Sequence, residues 1–184
     1  RTRSAMTAEL LAAEKAGRVR IAIGRAADFF GPGVTESALG ARVFGNALAG
    51  KRADFVGDPG LLHTYSYVPD IATGLVTLGT DERAAGQVWH LPGPATVTTR
   101  AVLDLIAGQV NHPVAVRNLP KIALRALGLV NPMMRGVAEM RYQFEQPFVL
   151  DTTKYESTFD AATTPLATAT ADTIAWYRTR EGTS

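Results

Sequence analysis

The strongest constraint on this chain is an alternation. Short runs of strand-forming residues recur along it, and a stretch opening on Thr, Pro or Asp and rich in helix formers follows almost every one. Val19, Ile21 and Ile23 alternate with Arg18, Arg20 and Ala22, the period-two pattern of a strand with one covered face. Residues 53–57, 63–68, 87–91, 114–116 and 148–150 also read as extended. Helices are predicted over 4–16 with Gly17 as C-terminal stop, from Thr35 to Gly50, from Pro69 and Asp70, over 100–110 after Thr98 or Thr99, over 120–129, over 132–144 and from Pro165 onward. Strands alternating with helices predict an α/β fold with a helix-heavy tail. Asp28-Phe29-Phe30-Gly31-Pro32-Gly33 reads as a loop, because two glycines and a proline break regular structure.

Composition removes several function classes. Nineteen basic residues face seventeen acidic ones, and they are scattered. A net charge of +2 gives no footprint for nucleic acid or an anionic membrane surface. The chain has no cysteine, which excludes disulfides and thiolate chemistry and fits a cytoplasmic protein. No apolar run approaches the roughly 18 residues that a membrane span needs. His63, His90 and His112 stand far apart without metal-like spacing, so no metal is expected.

Three segments then carry a resemblance. Arg25-Ala26-Ala27-Asp28-Phe29-Phe30-Gly31-Pro32-Gly33 follows a helix and a strand. His63-Thr64-Tyr65-Ser66-Tyr67-Val68-Pro69-Asp70 precedes a helix that begins Ile71-Ala72. Gly86-Gln87-Val88-Trp89-His90-Leu91 precedes Thr98 and its helix. In this order and spacing they resemble the extended short-chain dehydrogenase/reductase family, also called the NAD-dependent epimerase/dehydratase family. The resemblance covers residues 1–117 well and the tail loosely. It implies the C-terminal part of a Rossmann-like, doubly wound parallel sheet with a smaller, helix-rich substrate-binding region. Residues 1–34 would close the dinucleotide-binding sheet. Residues 35–184 would form the substrate-binding region, with elements between 63 and 91 returning to the sheet.

The departures are as informative. The family cradles its cofactor on a Gly-rich strand-to-helix turn, where backbone N–H groups meet the pyrophosphate. No such turn occurs here: Gly40, Gly45 and Gly50 have the wrong spacing. The family moves its proton with Tyr-x-x-x-Lys, and none of Lys15, Lys51, Lys121 or Lys154 has a Tyr four residues earlier. By resemblance both would precede Arg1, and no catalytic residue is expected within the chain.

The resemblance further implies that Arg25, Asp28 and Pro32 contact NAD or NADP, and that Phe29, Phe30, His63 and Tyr65 contact a small-molecule substrate. His63 stands where nucleotide-sugar members carry an Arg that grips the substrate diphosphate. A neutral imidazole cannot form that bidentate fork, so a nucleotide sugar is not expected. The expected function is the substrate-binding portion of an NAD(P)-dependent oxidoreductase, epimerase or dehydratase. The alternative is a non-catalytic relative serving as a binding or oligomerisation module. Asp70 reads as a helix-start residue, His90 as a structural strand residue, and Trp176, Tyr177 and the Met133, Met134 and Met140 group as packing. A sheet lacking its other strands exposes an edge, so the chain alone is expected to form a homodimer or to aggregate.

Overall fold

A computed structural model describes residues 2–118, 129, 136 and 141–181. Helix α1 (Thr2–Lys15) comes first. It ends in a Schellman motif: Gly17 sits at φ +69°, its N–H donates to the Glu14 carbonyl at 2.8 Å, and the Arg18 N–H reaches Ala13 at 3.0 Å. Glycine takes this left-handed backbone without steric cost, so the sequence marks the stop correctly.

Strand β1 (Ile23–Arg25) starts later than the alternation predicts, and residues 19–22 are not strand. Asp28–Phe30 is strand β2, which corrects the reading of residues 28–33 as a loop. Its parallel partner β4 (Leu62–Tyr67) draws these three residues into the ladder, with Asp28 opposite Tyr65 and Phe30 opposite Tyr67. The irregular part is confined to the Gly31-Pro32-Gly33 turn, where Gly31 and Gly33 hold positive φ.

The helix expected from Thr35 to Gly50 shrinks to α2 (Phe44–Leu48). Residues 35–43 form tight turns instead, and a Cβ at Gly40 would run into the Thr35 carbonyl. Strand β3 (Ala53–Phe55) leads to an Asx turn in which Asp58 Oδ1 accepts from the Gly60 N–H at 2.8 Å. Helix α3 (Val68–Thr80) opens with Pro69 in its first turn, and a short 3₁₀ turn follows at Glu82–Ala84. Strand β5 (Val88–His90), strand β6 (Ala95–Thr98) and helix α4 (Thr99–Val110) come next. Thr98 caps α4 by accepting from the Ala101 N–H at 3.1 Å. Strand β7 (Val116–Asn118), a 3₁₀ turn at Arg141–Phe144, helix α5 (Thr153–Phe159) and helix α6 (Leu166–Glu181) complete the described chain. The helices expected over 120–129 and 132–144, with Met133, Met134 and Met140, fall almost wholly outside the described residues.

Three small sheets result. β1 pairs with β5 and β3 with β7, both in parallel. β4 lies between parallel β2 and antiparallel β6. The fold is α/β with mostly parallel pairing. The chain changes sheets between β1 and β2, and this corner is pinned where the Ala27 N–H donates to buried Ser66 Oγ at 3.1 Å. The strand elements between 62 and 90 thus return to pair with 23–30.

Two apolar cores hold the elements. The larger is built around β4, with Phe30, Phe44, Val102, Ile106, Ile174 and Tyr177 among its members. Phe44 lies between Phe30, at 6.1 Å between ring centroids, and Tyr177, at 5.9 Å, both nearly parallel. Such stacks add about 0.5–1.5 kcal/mol each beyond the area they bury. Helix α6 supplies Tyr177, whose hydroxyl donates to the Val34 carbonyl at 2.6 Å, and the tail is tied across the first strands. The smaller core joins Trp89 of β5 to Tyr155 of α5, with Leu78, Ala84 and Leu91. Asp70 does more than start a helix: its carboxylate accepts from the Thr164 N–H at 3.0 Å and the Thr164 hydroxyl at 2.7 Å, fastening α3 to the segment before α6.

Candidate functional site

The region where β2 runs into Gly31-Pro32-Gly33 is where an open α/β sheet would take a ligand, outside the carboxyl end of a strand. A cavity of about 310 Å³ lies beside it. Its wall comes from Asp28 and Phe29 of β2, from Glu36, Ser37, Ala38 and Arg42 in the turns that follow, from β3 with Asp54, Phe55 and Val56, and from Gln143 and Phe144. Gly57, at φ +108°, lets this last segment close in, since a Cβ there would collide with Phe144. The Asp58 N–H fixes it by donating to the Phe144 carbonyl at 2.9 Å. Hollows of about 370 Å³ near Arg20 and Leu78, and of about 570 Å³ against α1, carry none of the predicted site residues.

The structure separates the predicted residues into three groups. Asp28 and Phe29 stand on the cavity wall, with Phe29 46% exposed. Phe30 and Tyr65 are fully buried in the large core, which corrects the expectation that they face a substrate. His63 to Tyr67 of β4 are all buried, so both faces of the strand are covered, whereas simple alternation expects one covered and one open. The Tyr65 hydroxyl bonds Thr99 Oγ1 at 2.7 Å, and burial, with the Asp28 charge adding to it, raises its pKa far above the usual phenol range. Arg25 is exposed at the end of β1, and Pro32 is half-buried in its turn; neither lines the cavity. His90 is held by the Asp151 carbonyl at 2.9 Å through Nδ1, a structural contact.

His63 is neither a surface histidine nor a direct part of the wall. It is 3% exposed, and its ring packs on Phe144 at 5.2 Å and on Phe148 at 5.0 Å, with Tyr65 at 4.7 Å. Its Nε2 meets Asp28 Oδ2 at 2.8 Å. His63 and Tyr65 occupy the same face of β4, and Asp28 is in register with Tyr65, so ladder geometry alone brings the imidazole to the carboxylate. The aromatic shell fixes the ring, and the ring fixes the carboxylate at the edge of the cavity.

The cavity is mixed in character. Phe29, Phe55, Phe144, Val56 and Ala38 make it apolar. Asp28, Glu36 and Asp54 bring three carboxylates against one guanidinium, Arg42. Arg117 neutralises Asp54 through bonds of 2.6 and 2.8 Å. Asp28 and Glu36 keep the cavity acidic, a poor environment for a phosphorylated ligand. Ser37 Oγ is buried with no hydrogen-bond partner on the same wall. The sequence reading missed Glu36, Ser37 and Arg42, which it placed on a regular helix; the signal that argued otherwise was Gly40 among them. Nothing in the sequence marked Phe144.

Among the described residues no group of His, Asp and Glu side chains is arranged to hold a metal ion, and no helix is long and apolar enough to cross a membrane.

Searches of protein-family models and of curated proteins found no match to the chain. Solved structures do match its fold. An epimerase from Methanothermobacter thermautotrophicus superposes with a TM-score of 0.73 at 16% identity, over 95% of this chain and 48% of that one. UDP-glucuronic acid 4-epimerase from Bacillus cereus, solved with UDP-glucuronic acid and NAD, gives 0.71 at 15% identity, over 91% and 48%. A dTDP-glucose 4,6-dehydratase from Streptomyces venezuelae, solved with NAD, gives 0.71 at 19% identity, over 94% and 48%. The chain spans about half the length of the structures it matches, and it shares the Rossmann-like fold of that part of them.

Proposed function

We propose that this chain is the C-terminal, substrate-binding portion of an NAD(P)-dependent oxidoreductase of the epimerase/dehydratase kind. Its substrate is a small carbonyl or hydroxyl compound and not a nucleotide sugar. The observation that carries this reading is the cavity against the first residues of β2, with Asp28 on its wall and His63 behind, in a fold shared with NAD-dependent epimerases and dehydratases. Residues 1–34 are assigned to the end of the dinucleotide-binding sheet and residues 35–184 mainly to the substrate region. The cysteine-free composition suits a cytoplasmic protein.

The residues in hand do not fit a whole dinucleotide. The sequence holds no G-x-G-x-x-G or G-x-x-G-x-x-G turn of the kind whose backbone N–H groups receive a pyrophosphate. No hydride or proton-transfer step is therefore derived from them. What they supply is a shaped wall: aromatic surface and a carboxylate of fixed direction that would orient a bound substrate.

A second reading is a non-catalytic relative that binds or oligomerises; the lack of Tyr-x-x-x-Lys in this chain is expected on both readings. The longer protein carrying this chain separates the two. The first reading expects Tyr-x-x-x-Lys just upstream of residue 1, and reduction of NAD⁺ or NADP⁺ by a member of a secondary-alcohol panel, followed by nicotinamide absorbance. A Ser or Phe in place of that Tyr, together with no turnover, hands the case to the second.

A further inference from the structure

We propose that the Asp28 cavity selects an uncharged, partly aromatic alcohol, which hydrogen-bonds the Asp28 carboxylate, and that His63 is the positioning residue that aims this carboxylate and leaves it no freedom to turn away. The proposal deepens the substrate-binding reading and rests on it.

Four observations carry it. First, the Asp28 side chain is one-third exposed, and its Oδ2 is taken by His63 Nε2 at 2.8 Å; among the described residues it has no other hydrogen-bond partner, so Oδ1 remains for a ligand. Second, His63 cannot itself reach a ligand. Its ring is buried among Phe144, Phe148 and Tyr65, and a ring held on three sides keeps its nitrogen, and thus the carboxylate, in one direction. Third, the ligand side of the cavity offers aromatic surface in Phe29 and Phe144. Fourth, the electrostatics oppose an anion. With Asp54 neutralised by Arg117, a phosphate entering the cavity meets Asp28 and Glu36 against Arg42 alone. An alcohol O–H donates to a carboxylate in a charge-assisted bond, whereas a phosphate presents acceptors and negative charge to it.

The test is binding of 2-naphthylmethanol and of its phosphate monoester to the full 184-residue chain, followed by naphthalene fluorescence, with no cofactor present. The expected result is at least tenfold tighter binding of the alcohol. Asp28→Asn keeps an acceptor for His63 and hence the pair; it is expected to weaken the alcohol about fivefold to tenfold and to narrow the gap to the ester. His63→Phe keeps the aromatic packing and removes the aim; it is expected to lower the alcohol-to-ester ratio by a smaller factor. A purely structural role would instead lower the melting temperature and leave that ratio alone. Joint Asp28→Asn and His63→Arg is expected to favour the ester. The proposal is overturned if the ester binds as well as the alcohol in the unaltered chain, if the alcohol does not bind, or if Asp28→Asn leaves the ratio unchanged. Should His63→Phe fail to fold, Asp28→Asn decides alone. Selective alcohol binding by a protein that moves no hydride would remove the oxidoreductase reading and leave this site standing. Turnover of another small carbonyl or hydroxyl compound by the longer protein, without binding of 2-naphthylmethanol, would do the reverse.

Discussion

The two ends of this molecule are built to different standards of closure. Around β4 every residue from His63 to Tyr67 is buried, the strand has neighbours on both sides, and α2, α4 and α6 pack over Phe30, Phe44 and Tyr177. At the other end α1 has no buried residue, and β1 pairs only with β5 among the described residues. Met6, Leu10, Val19, Leu75 and Val76 are exposed there. The contrast teaches that stability and completeness are separate properties. The β4 region satisfies its own apolar surface and backbone, whereas the α1–β1 end presents apolar side chains and an open ladder edge of the kind other sheets cover. On the proposed account, the open end is where the nucleotide-binding half packs, and the closed end holds the substrate wall rigid.

The comparison is broken most sharply by truncating its best-packed ring. Phe44→Ala removes a fully buried side chain stacked between two others, and about 3–5 kcal/mol of unfolding free energy is expected to go with it in a urea titration. A loss below about 1 kcal/mol would show that the β4 core is not the stabilising centre.

Alkaline pH gives a second, smaller effect on the same core. Burial, with Asp172 nearby, pushes the Tyr67 phenol up to about 12, and burial likewise raises Tyr177 to about 12, the charge of Arg180 opposing and that of Glu36 adding. Both phenols hold their protons more tightly folded than unfolded. Stability is therefore intact below about pH 10, the unfolded value, and is lost as pH rises from there through about 12. Tyrosinate absorbance should rise together with unfolding for these two residues; a full rise near pH 10 with the fold intact would contradict their burial.

The smallest effect is expected at the open end. Leu10→Ala on α1 should change unfolding free energy by no more than about 0.5 kcal/mol, because the side chain is 42% exposed. Leu10→Glu should instead reduce self-association seen by light scattering. A large loss of stability from Leu10→Ala would mean that α1 is already packed, and the contrast between the two ends would dissolve.

Much of the fold was legible in residues whose signals are local. Gly17 and Thr98 each set a stop or cap through their own backbone or side-chain chemistry, Gly17 where it was expected and Thr98 as one of the two caps expected. What failed depended on partners distant in sequence. Asp28–Phe30 looked like loop because Gly31-Pro32-Gly33 follows, but parallel pairing with β4 made it strand. Tyr65 looked half-open because alternation cannot reveal that both faces of a strand will be covered. The site was partly legible: Asp28, Phe29 and His63 came from the motif resemblance, and they do cluster. Their division of labour did not come from it, since only the register of β2 against β4 puts the imidazole behind the carboxylate. Glu36, Ser37 and Phe144 reach the cavity through irregular turns, for which hydrophobic periodicity carries no signal.

Calorimetric titration with NAD tests the division between the two halves most directly. The account predicts micromolar binding by the longer protein and none of that strength by the 184-residue chain, which has no G-x-G-x-x-G or G-x-x-G-x-x-G turn to receive the pyrophosphate. Micromolar binding by this chain alone would contradict it.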